Sequence, residues 1–341
     1  MFDWKQKRVL VTGGSGFLGS ALVRLLRENG CDDIEIPRSK SDDLRSPENC
    51  KRVVRNTDVV FHLAANVGGI GYNQEKPGEL FYDNIIMGAH LMEAAREARV
   101  EKVIALGTIC SYPCYTPAPF REESIWDGYP EQTNAPYGLA KKMLLVQSQA
   151  YRKQYGFNSI VIFPTNLYGP GDKFDPGHSH VIPALIRNIH DAMGSRRNKI
   201  VVWGDGSPTR EFLYVEDAAK ALVLAAESYN KSDPVNIGSG EEISIKDLTQ
   251  MLSQIMGFHG SIEWDKSRPN GQPRRFVDST KAFEEFGFKA QIPLSQGLRK
   301  TIDWYNKEQL NLHGLSPDQD RTMRAGPEAT VSGLAAKPNP S

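Results

Sequence analysis

Apolar residues fall into two rhythms along this chain. Short runs dense in β-branched residues lie at Arg8–Thr12, Ile34–Pro37, Val59–Ala64, Lys102–Gly107 and Ser159–Pro164. Between them, apolar residues recur every three or four positions near Ser20–Asn29, Pro47–Arg55, Asn84–Ala98 and Pro136–Tyr155. Continuous short apolar runs read as strands buried on both faces, and the longer spacing reads as amphipathic helix. Their alternation predicts a parallel sheet with helices packed on both sides. From about residue 170 the chain is richer in Gly, Pro and charge, with helical spacing near Ser179–Met193, Val215–Tyr229, Ile245–Met256 and Leu294–Glu308. From Leu310 the pattern dissolves into Ser, Pro, Gln and Asp. Such a segment cannot bury enough apolar surface to offset its ordering entropy, so 310–341 is expected to be a disordered tail, with a docking peptide as the alternative.

Composition narrows the partners. The 341 residues suffice for one large or two joined α/β domains. Lys+Arg and Asp+Glu both number 41. A neutral chain has no global pull toward nucleic acid or anionic membranes, so neither is an expected partner, and any bound anion must be held locally. No apolar run approaches the ~20 residues that span a bilayer, and the first residues lack the apolar region of a secretory signal. Cys31, Cys50, Cys110 and Cys114 form neither a disulfide framework nor paired zinc ligands. The expectation is a reduced, cytoplasmic protein without a metal.

The chemistry lies where strands end. The first strand runs into Gly13-Gly-Ser-Gly16-Phe17-Leu18-Gly19 and then an Ala- and Leu-rich helix. A strand, glycines three apart and a helix N-terminus together make a pyrophosphate site. One glycine makes the turn, one admits the phosphate, and one lets helix pack on strand. The string points to a nicotinamide dinucleotide on a doubly wound Rossmann sheet. The second strand ends in Pro37-Arg38-Ser39-Lys40, where an acidic residue would accept from an NAD ribose. Two cations suit a 2′-phosphate instead, so NADP(H) is expected over NAD(H), the alternative being that both are solvated loop charges.

Tyr137 and Lys141, at i and i+4, share one face of a helix. An ammonium beside a phenol stabilises the phenolate, bringing its titration toward neutral pH. Thr108 sits at the carboxyl end of the fourth strand, where open α/β sheets bind ligands, and can orient the same substrate oxygen.

The glycine loop, His62-Leu-Ala-Ala65, Thr108 and Tyr137-x-x-x-Lys141 resemble the extended short-chain dehydrogenase/reductase family, also called the NAD-dependent epimerase/dehydratase family, over about residues 7–305. Longer strings are similar to its GDP-L-fucose synthase branch. They include Val67-Gly-Gly-Ile70, Cys110-Ser-Tyr-Pro113, Pro164-Thr-Asn-Leu-Tyr-Gly-Pro170, His180-Val-Ile-Pro-Ala-Leu185, Val202–Phe212 and Pro269–Arg274. The resemblance implies conversion of GDP-4-keto-6-deoxy-D-mannose to GDP-L-fucose, by C3/C5 epimerisation and NADPH-dependent C4 reduction. By position, Cys110 and His180 match the acid–base pair of the epimerisations, and Tyr137 the proton donor of the reduction. Lys141 matches the holder of the nicotinamide ribose. Ala64, Pro164, Asn166, Leu167 and His180 match further cofactor contacts, and Arg187, Trp203, Arg210 and Asn270 match substrate contacts. The resemblance also implies a homodimer. It divides the chain into an NADP-binding part (1–169 and 212–238) and a smaller, mostly C-terminal α/β part for the GDP-sugar (170–211 and 239–309).

Two departures stand out. Thr108-Ile109-Cys110 replaces the family's frequent Ser-Ser-Cys, and Asn270 stands where it often has Asp. A 4,6-dehydratase would need acidic residues just after Thr108, a role that Ile109 and Cys110 cannot play. The alternative that shares nearly every residue is a single-function epimerase or 4-reductase on a related GDP-4-keto-deoxy sugar or heptose. A non-catalytic dinucleotide sensor would have no need of Tyr137 and Lys141.

Overall fold

In the computed structural model the β-branched runs form a parallel sheet. The strands are β1 (Val9–Thr12), β2 (Ile34–Glu35), β3 (Val59–His62), β4 (Lys102–Leu106), β5 (Ser159–Pro164), β6 (Asn166–Tyr168), β7 (Lys199–Trp203), β8 (Thr209–Tyr214), β9 (Val235–Ile237), β10 (Glu242–Ser244), β11 (Ser261–Asp265) and β12 (Arg274–Arg275). The helices are α1 (Phe17–Glu28), α2 (Pro47–Val53), α3 (Ile70–Glu75), α4 (Pro77–Glu97), α5 (Ala135–Tyr155), α6 (Val181–Gly194), α7 (Val215–Ser228), α8 (Ile245–Met256), α9 (Thr280–Phe286) and α10 (Leu294–His313). The structure describes residues 2–176, 179–268 and 270–313. They divide into two compact units, one ending at Ile302 and one beginning at Asp303, which holds the last part of α10.

The main sheet has the order β2-β1-β3-β4-β5-β9, with every pairing parallel. Alternate residues serve opposite faces. Val9 and Val11 of β1 pack in a cluster with Leu22 and Leu26 of α1 and Ala218 and Leu222 of α7. Leu10, between them, packs with Val53 of α2 and Leu91 and Met92 of α4 on the other face. Farther along that face, Val161 and Phe163 of β5 meet Leu144 and Leu145 of α5. Burying each such side chain contributes about 1.5–3 kcal/mol, which is why these strands tolerate no polar alternation. β1 pairs with β2 on one side and β3 on the other, so the strand order reverses there. The carboxyl ends of β1 and β3 flank the crevice in which open α/β sheets bind ligands.

Two smaller sheets follow. β8 is central to one, with β10 and β12 beside it and β6 paired to it as well, and β7 and β11 form the other. β6 follows β5 after a single residue, so the second sheet starts where the main sheet's ligand edge ends.

The expected elements are present with shifted ends. Helix α4 begins at Pro77, seven residues before the expected start at Asn84. Proline is well suited to a first helical turn, where its missing N–H costs nothing. Helix α10 continues through His313, so the tail expected from Leu310 starts too early. Residues 314–341 lie outside the described residues. Among the described residues no helix is long and apolar enough to cross a membrane.

Candidate active site

The glycine loop takes the form that a pyrophosphate site requires. Gly13 has φ +70°, and a Cβ there would stand 2.9 Å from the Ala64 nitrogen, so a side chain would be both strained and obstructed. At Gly19 a Cβ would lie 2.0 Å from the Gly13 carbonyl oxygen, so only glycine lets α1 seat on the loop. Gly16 caps α1 without a side-chain hydrogen bond. The first N–H groups of α1, through Phe17, Leu18 and Gly19, therefore face the cleft at the positive end of the helix dipole.

Beyond β2, Arg38 and Lys40 are exposed, and neither has a carboxylate partner among the described residues. The nearby acids are already engaged. Asp42 pairs with Arg52 at 2.5 Å, and Asp43 with Arg45 at 2.7 Å. Arg45 also reaches Asp83, at 3.2 Å.

Thr108 leaves β4 and caps a short 3-10 turn, Ile109–Ser111, its hydroxyl accepting from the Cys110 N–H at 3.3 Å. Helix α5 docks against this turn with almost no clearance. A Cβ on Gly138 would be 2.2 Å from the Cys110 carbonyl oxygen, and the Ser111 hydroxyl donates to the Gly138 carbonyl at 2.8 Å. This contact sets Tyr137 beside Thr108 and Cys110. Lys141, one turn on, is 1% exposed.

The electrostatics differ from the expectation of a lysine-stabilised phenolate. Burial pushes Tyr137 well above the usual phenol range and the Cys110 charge adds to it, while a hydrogen bond with Thr108 opposes. Burial likewise lowers Lys141 to about 8. Neither shift draws on the charge of the other group, and burial is the first cause of both. Tyr137 is thus held as a neutral phenol, the form that donates a proton. The Lys141 Nζ is buried without a hydrogen-bond partner, as is the Nε2 of His62. His62 shares a 2.9 Å hydrogen bond with Thr12 through Nδ1 and is lowered to about 3, by burial first and then by the Lys141 charge.

His180, at the N-terminal cap of α6, opens to cleft solvent but is surrounded by protein at longer range. That surrounding, then the charges of Lys173 and Arg275, holds it below the usual imidazole range.

One cleft of about 2060 Å³ gathers nearly all the expected residues. A single ligand ordinarily fills about 300–1,000 Å³, so this space suits two. Gly13, Arg38, Ala64, Thr108, Cys110, Tyr137, Pro164, Leu167 and His180 line it together with Arg187, Trp203, Arg210 and Asn270. Lys141 stands behind the wall. Several of these side chains are partly committed. Asn166 donates its amide to the Glu211 carbonyl at 2.8 Å, and Arg187 donates to the Phe174 carbonyl at 2.5 Å. The Asn270 side-chain oxygen accepts from the Asp205 N–H at 2.9 Å, bracing the turn after Trp203. Trp203 is 61% exposed, with the Arg268 guanidinium 4.9 Å from its ring. Burial, then the neighbouring Arg275, lowers Arg210 to about 10.

Arg275 is the site residue that the sequence reading missed. It sits in β12 opposite Arg210 of β8 and donates through Nη2 to the Cys110 sulfur at 3.1 Å. Its position, directly after the Pro269–Arg274 string, was the available signal.

The family model described as NAD dependent epimerase/dehydratase matches residues 9–238. The chain belongs to this epimerase/dehydratase family. A GDP-L-fucose synthase of Sinorhizobium fredii (strain NBRC 101917 / NGR234) is 42% identical over 298 residues, which cover 87% of this chain and 95% of that protein. A probable GDP-L-fucose synthase 1 of Oryza sativa subsp. japonica is 40% identical over 304 residues, 88% of this chain and 92% of that one. The crystal structure of a GDP-L-fucose synthetase from Naegleria fowleri bound to NADP superposes with a TM-score of 0.80 at 26% identity, covering 89% of this chain and 95% of that one.

Membership in the epimerase/dehydratase family makes a nicotinamide dinucleotide the expected cofactor, and the residues present fit one. The uncapped start of α1, the two glycines without room for a Cβ, and the orphaned Lys141 ammonium are features that bound phosphate and ribose hydroxyls would satisfy.

Proposed function

We propose that this chain converts GDP-4-keto-6-deoxy-D-mannose to GDP-L-fucose, epimerising C3 and C5 and then reducing C4. The observation that carries the reading is one wall holding two sets of proton-transfer groups. Thr108 and Tyr137 form the set a reductase uses, and Cys110, two residues from Thr108, forms the other with His180 in the same cleft. A simple reductase has no use for the second set. The named relatives support the choice of sugar.

The 4-keto group acidifies the hydrogens at C3 and C5. In each epimerisation one member of the Cys110–His180 pair takes the proton from carbon, and the electron pair moves into the carbonyl to give an enolate. The other member returns a proton to the opposite face, and the pair then re-equilibrates with solvent. Both groups titrate within reach of neutral pH in ordinary settings, which suits them to this exchange. In the reduction Tyr137 gives its phenol proton to the C4 oxygen while Thr108 orients that oxygen. Bound NADPH supplies the hydride. Lys141 holds the nicotinamide ribose, and its charge is what a phenolate left by proton donation needs beside it.

Arg38 and Lys40, free of carboxylates, support NADPH as the preferred cofactor, since the 2′-phosphate is the anion they lack. We assign cofactor binding to residues 1–169 and 212–238, and GDP-sugar binding to 170–211 and 239–309. Arg187, Trp203, Arg210 and Asn270 take the nucleotide-sugar. A homodimer through α4 and α5 is supported by Phe81, Tyr82, Val146 and Tyr155, which stand 40%, 58%, 43% and 49% exposed on these helices. A working thiol at Cys110 suits a reducing, cytoplasmic setting.

Solvent deuterium exchange tests the division of labour. Tyr137→Phe is expected to abolish NADPH oxidation while the substrate still exchanges at C3 or C5. Cys110→Ser is expected to suppress exchange with cofactor affinity unchanged, and His180→Gln is expected to suppress exchange as well. Full exchange in both variants would refute the pair.

A further inference from the structure

We infer that Arg275 is a positioning residue for Cys110, a charged donor that fixes the sulfur on the cleft wall and supports the negative charge it carries when it takes a proton. The inference rests on the catalytic role given above to Cys110, and three observations carry it.

The contact itself is direct. The Nη2 of Arg275 donates to Sγ at 3.1 Å, while the Nε of the same guanidinium is buried without a partner. A charged donor this close stabilises negative charge on sulfur far more than it does a neutral thiol.

The second observation is the register of the sheet. Arg275 of β12 and Arg210 of β8 are paired in register on adjacent parallel strands. Like charges placed side by side repel, and this pair is partly buried. Neither guanidinium has a carboxylate partner among the described residues, and Arg210 spends a donor on the Thr209 carbonyl at 2.7 Å. Two unpaired cations call for an anion, and the Cys110 sulfur is the protein group they face.

The third is the surrounding set of groups. Cys110 is faced by Arg275 from β12, Arg210 from β8 and the Tyr137 phenol from α5, while His180 faces Arg275 and Lys173. No carboxylate stands among these groups to compete for Arg275. The guanidinium therefore acts on the sulfur, while an imidazole beside the same cation is discouraged from charging. That difference would separate the two members of the proton-transfer pair.

Alkylation by iodoacetamide at pH 7, followed on the Cys110 peptide by mass spectrometry, tests this without any turnover. Arg275→Met is expected to slow alkylation of Cys110 about tenfold or more, because the neighbouring charge is lost. Arg275→Lys, which keeps the charge, is expected to recover most of the rate, and NADPH affinity is expected to be unchanged in both. Arg275→Gln carries the same expectation as Arg275→Met should the methionine variant fail to fold. In steady state, kcat is expected to fall with Arg275→Met while the pH–rate profile moves to higher pH. Alkylation of Cys110 at the wild-type rate in the folded neutral variant would overturn the inference, including the case where only KM for the nucleotide-sugar rises. Unaltered solvent exchange in Cys110→Ser would instead remove the catalytic role of Cys110 and leave the Arg275 contact standing, so the two failures are distinguishable.

Discussion

Replacing Gly138 with alanine would place a methyl carbon 2.2 Å from the carbonyl oxygen of Cys110 and 2.8 Å from its carbonyl carbon. Carbon and carbonyl oxygen meet comfortably at about 3.3–3.6 Å, so α5 and the turn at 109–111 must part by about 1 Å. Neither side yields easily. The obstructing atoms are backbone, and the two elements are also tied by the 2.8 Å bond from Ser111 to the Gly138 carbonyl. The displacement falls on Tyr137, next in sequence, and separates it from Thr108. Overpacking of this kind costs about 1–3 kcal/mol of stability. A misplacement of about 1 Å at reacting groups costs on the order of 100-fold in rate, equivalent to about 2.7 kcal/mol of barrier. The assay is kcat for NADPH oxidation, with NADPH affinity and the urea midpoint measured in parallel. Gly78→Ala serves as the control, because its Cβ would meet nothing within 4 Å. Gly78 lies in the first turn of α4, so the control is expected to stay within about 0.5 kcal/mol of wild type. A Gly138→Ala enzyme within about twofold of wild-type kcat, at unchanged stability, would refute the claim that close docking of α5 sets the site.

Other outcomes follow from the same geometry. Burial holds Lys141 at about 8, below the ~10.4 of an unfolded lysine, so the folded state bears a charge-burial cost at every pH below about 8. That cost fades as pH climbs from about 8 to 10.4, so Lys141→Met is expected to unfold at higher urea than wild type at pH 7, by on the order of 2–3 kcal/mol. The advantage is expected to vanish above about pH 10 while reductase activity is lost throughout; a constant difference across pH would contradict this account of Lys141. Arg38→Ala is expected to raise KM for NADPH about 10–100-fold and leave KM for NADH unchanged, as the loss of a charged hydrogen bond to the 2′-phosphate requires. A wild-type enzyme that prefers NADH would sink the assignment. Phe81→Glu on α4 is expected to yield monomers in sedimentation velocity, and a monomeric wild type would dismiss the proposed dimer.

The features that were legible in the sequence are those with a local cause. The glycine loop is local, because one phosphate must be approached by consecutive backbone atoms, and Gly13 and Gly19 have no room for a Cβ. The buried strands are local too, because burial on both faces forces a continuous apolar run. The Tyr137–Lys141 spacing correctly placed both residues on one helix face, but it could not show their electrostatics. These depend on how deeply α5 is covered, a property of the whole packing, and burial is the first cause of both shifts. Arg275 was invisible for a similar reason. Its value comes from the parallel register of β12 on β8, and those strands are 60 or more residues apart in the chain. Gly138 looked like an ordinary helical glycine until the turn at Cys110 lay against it. The start of α4 was missed because Pro77-Gly78 reads as a break, whereas Pro77 in fact opens the helix. The short strands β6, β10 and β12 lack enough residues to show a period, and they exist only through pairing with β8.

The central claim is that one cleft both inverts and reduces a single sugar. Incubating the enzyme with NADPH and GDP-4-keto-6-deoxy-D-mannose, and reading the configuration at C3, C4 and C5 of the product by NMR, tests it most directly. The expected result is GDP-L-fucose, inverted at C3 and C5 and carrying a new hydroxyl at C4, with one NADPH consumed per product. A product reduced at C4 with C3 and C5 unchanged, or inverted without NADPH consumption, would contradict the account.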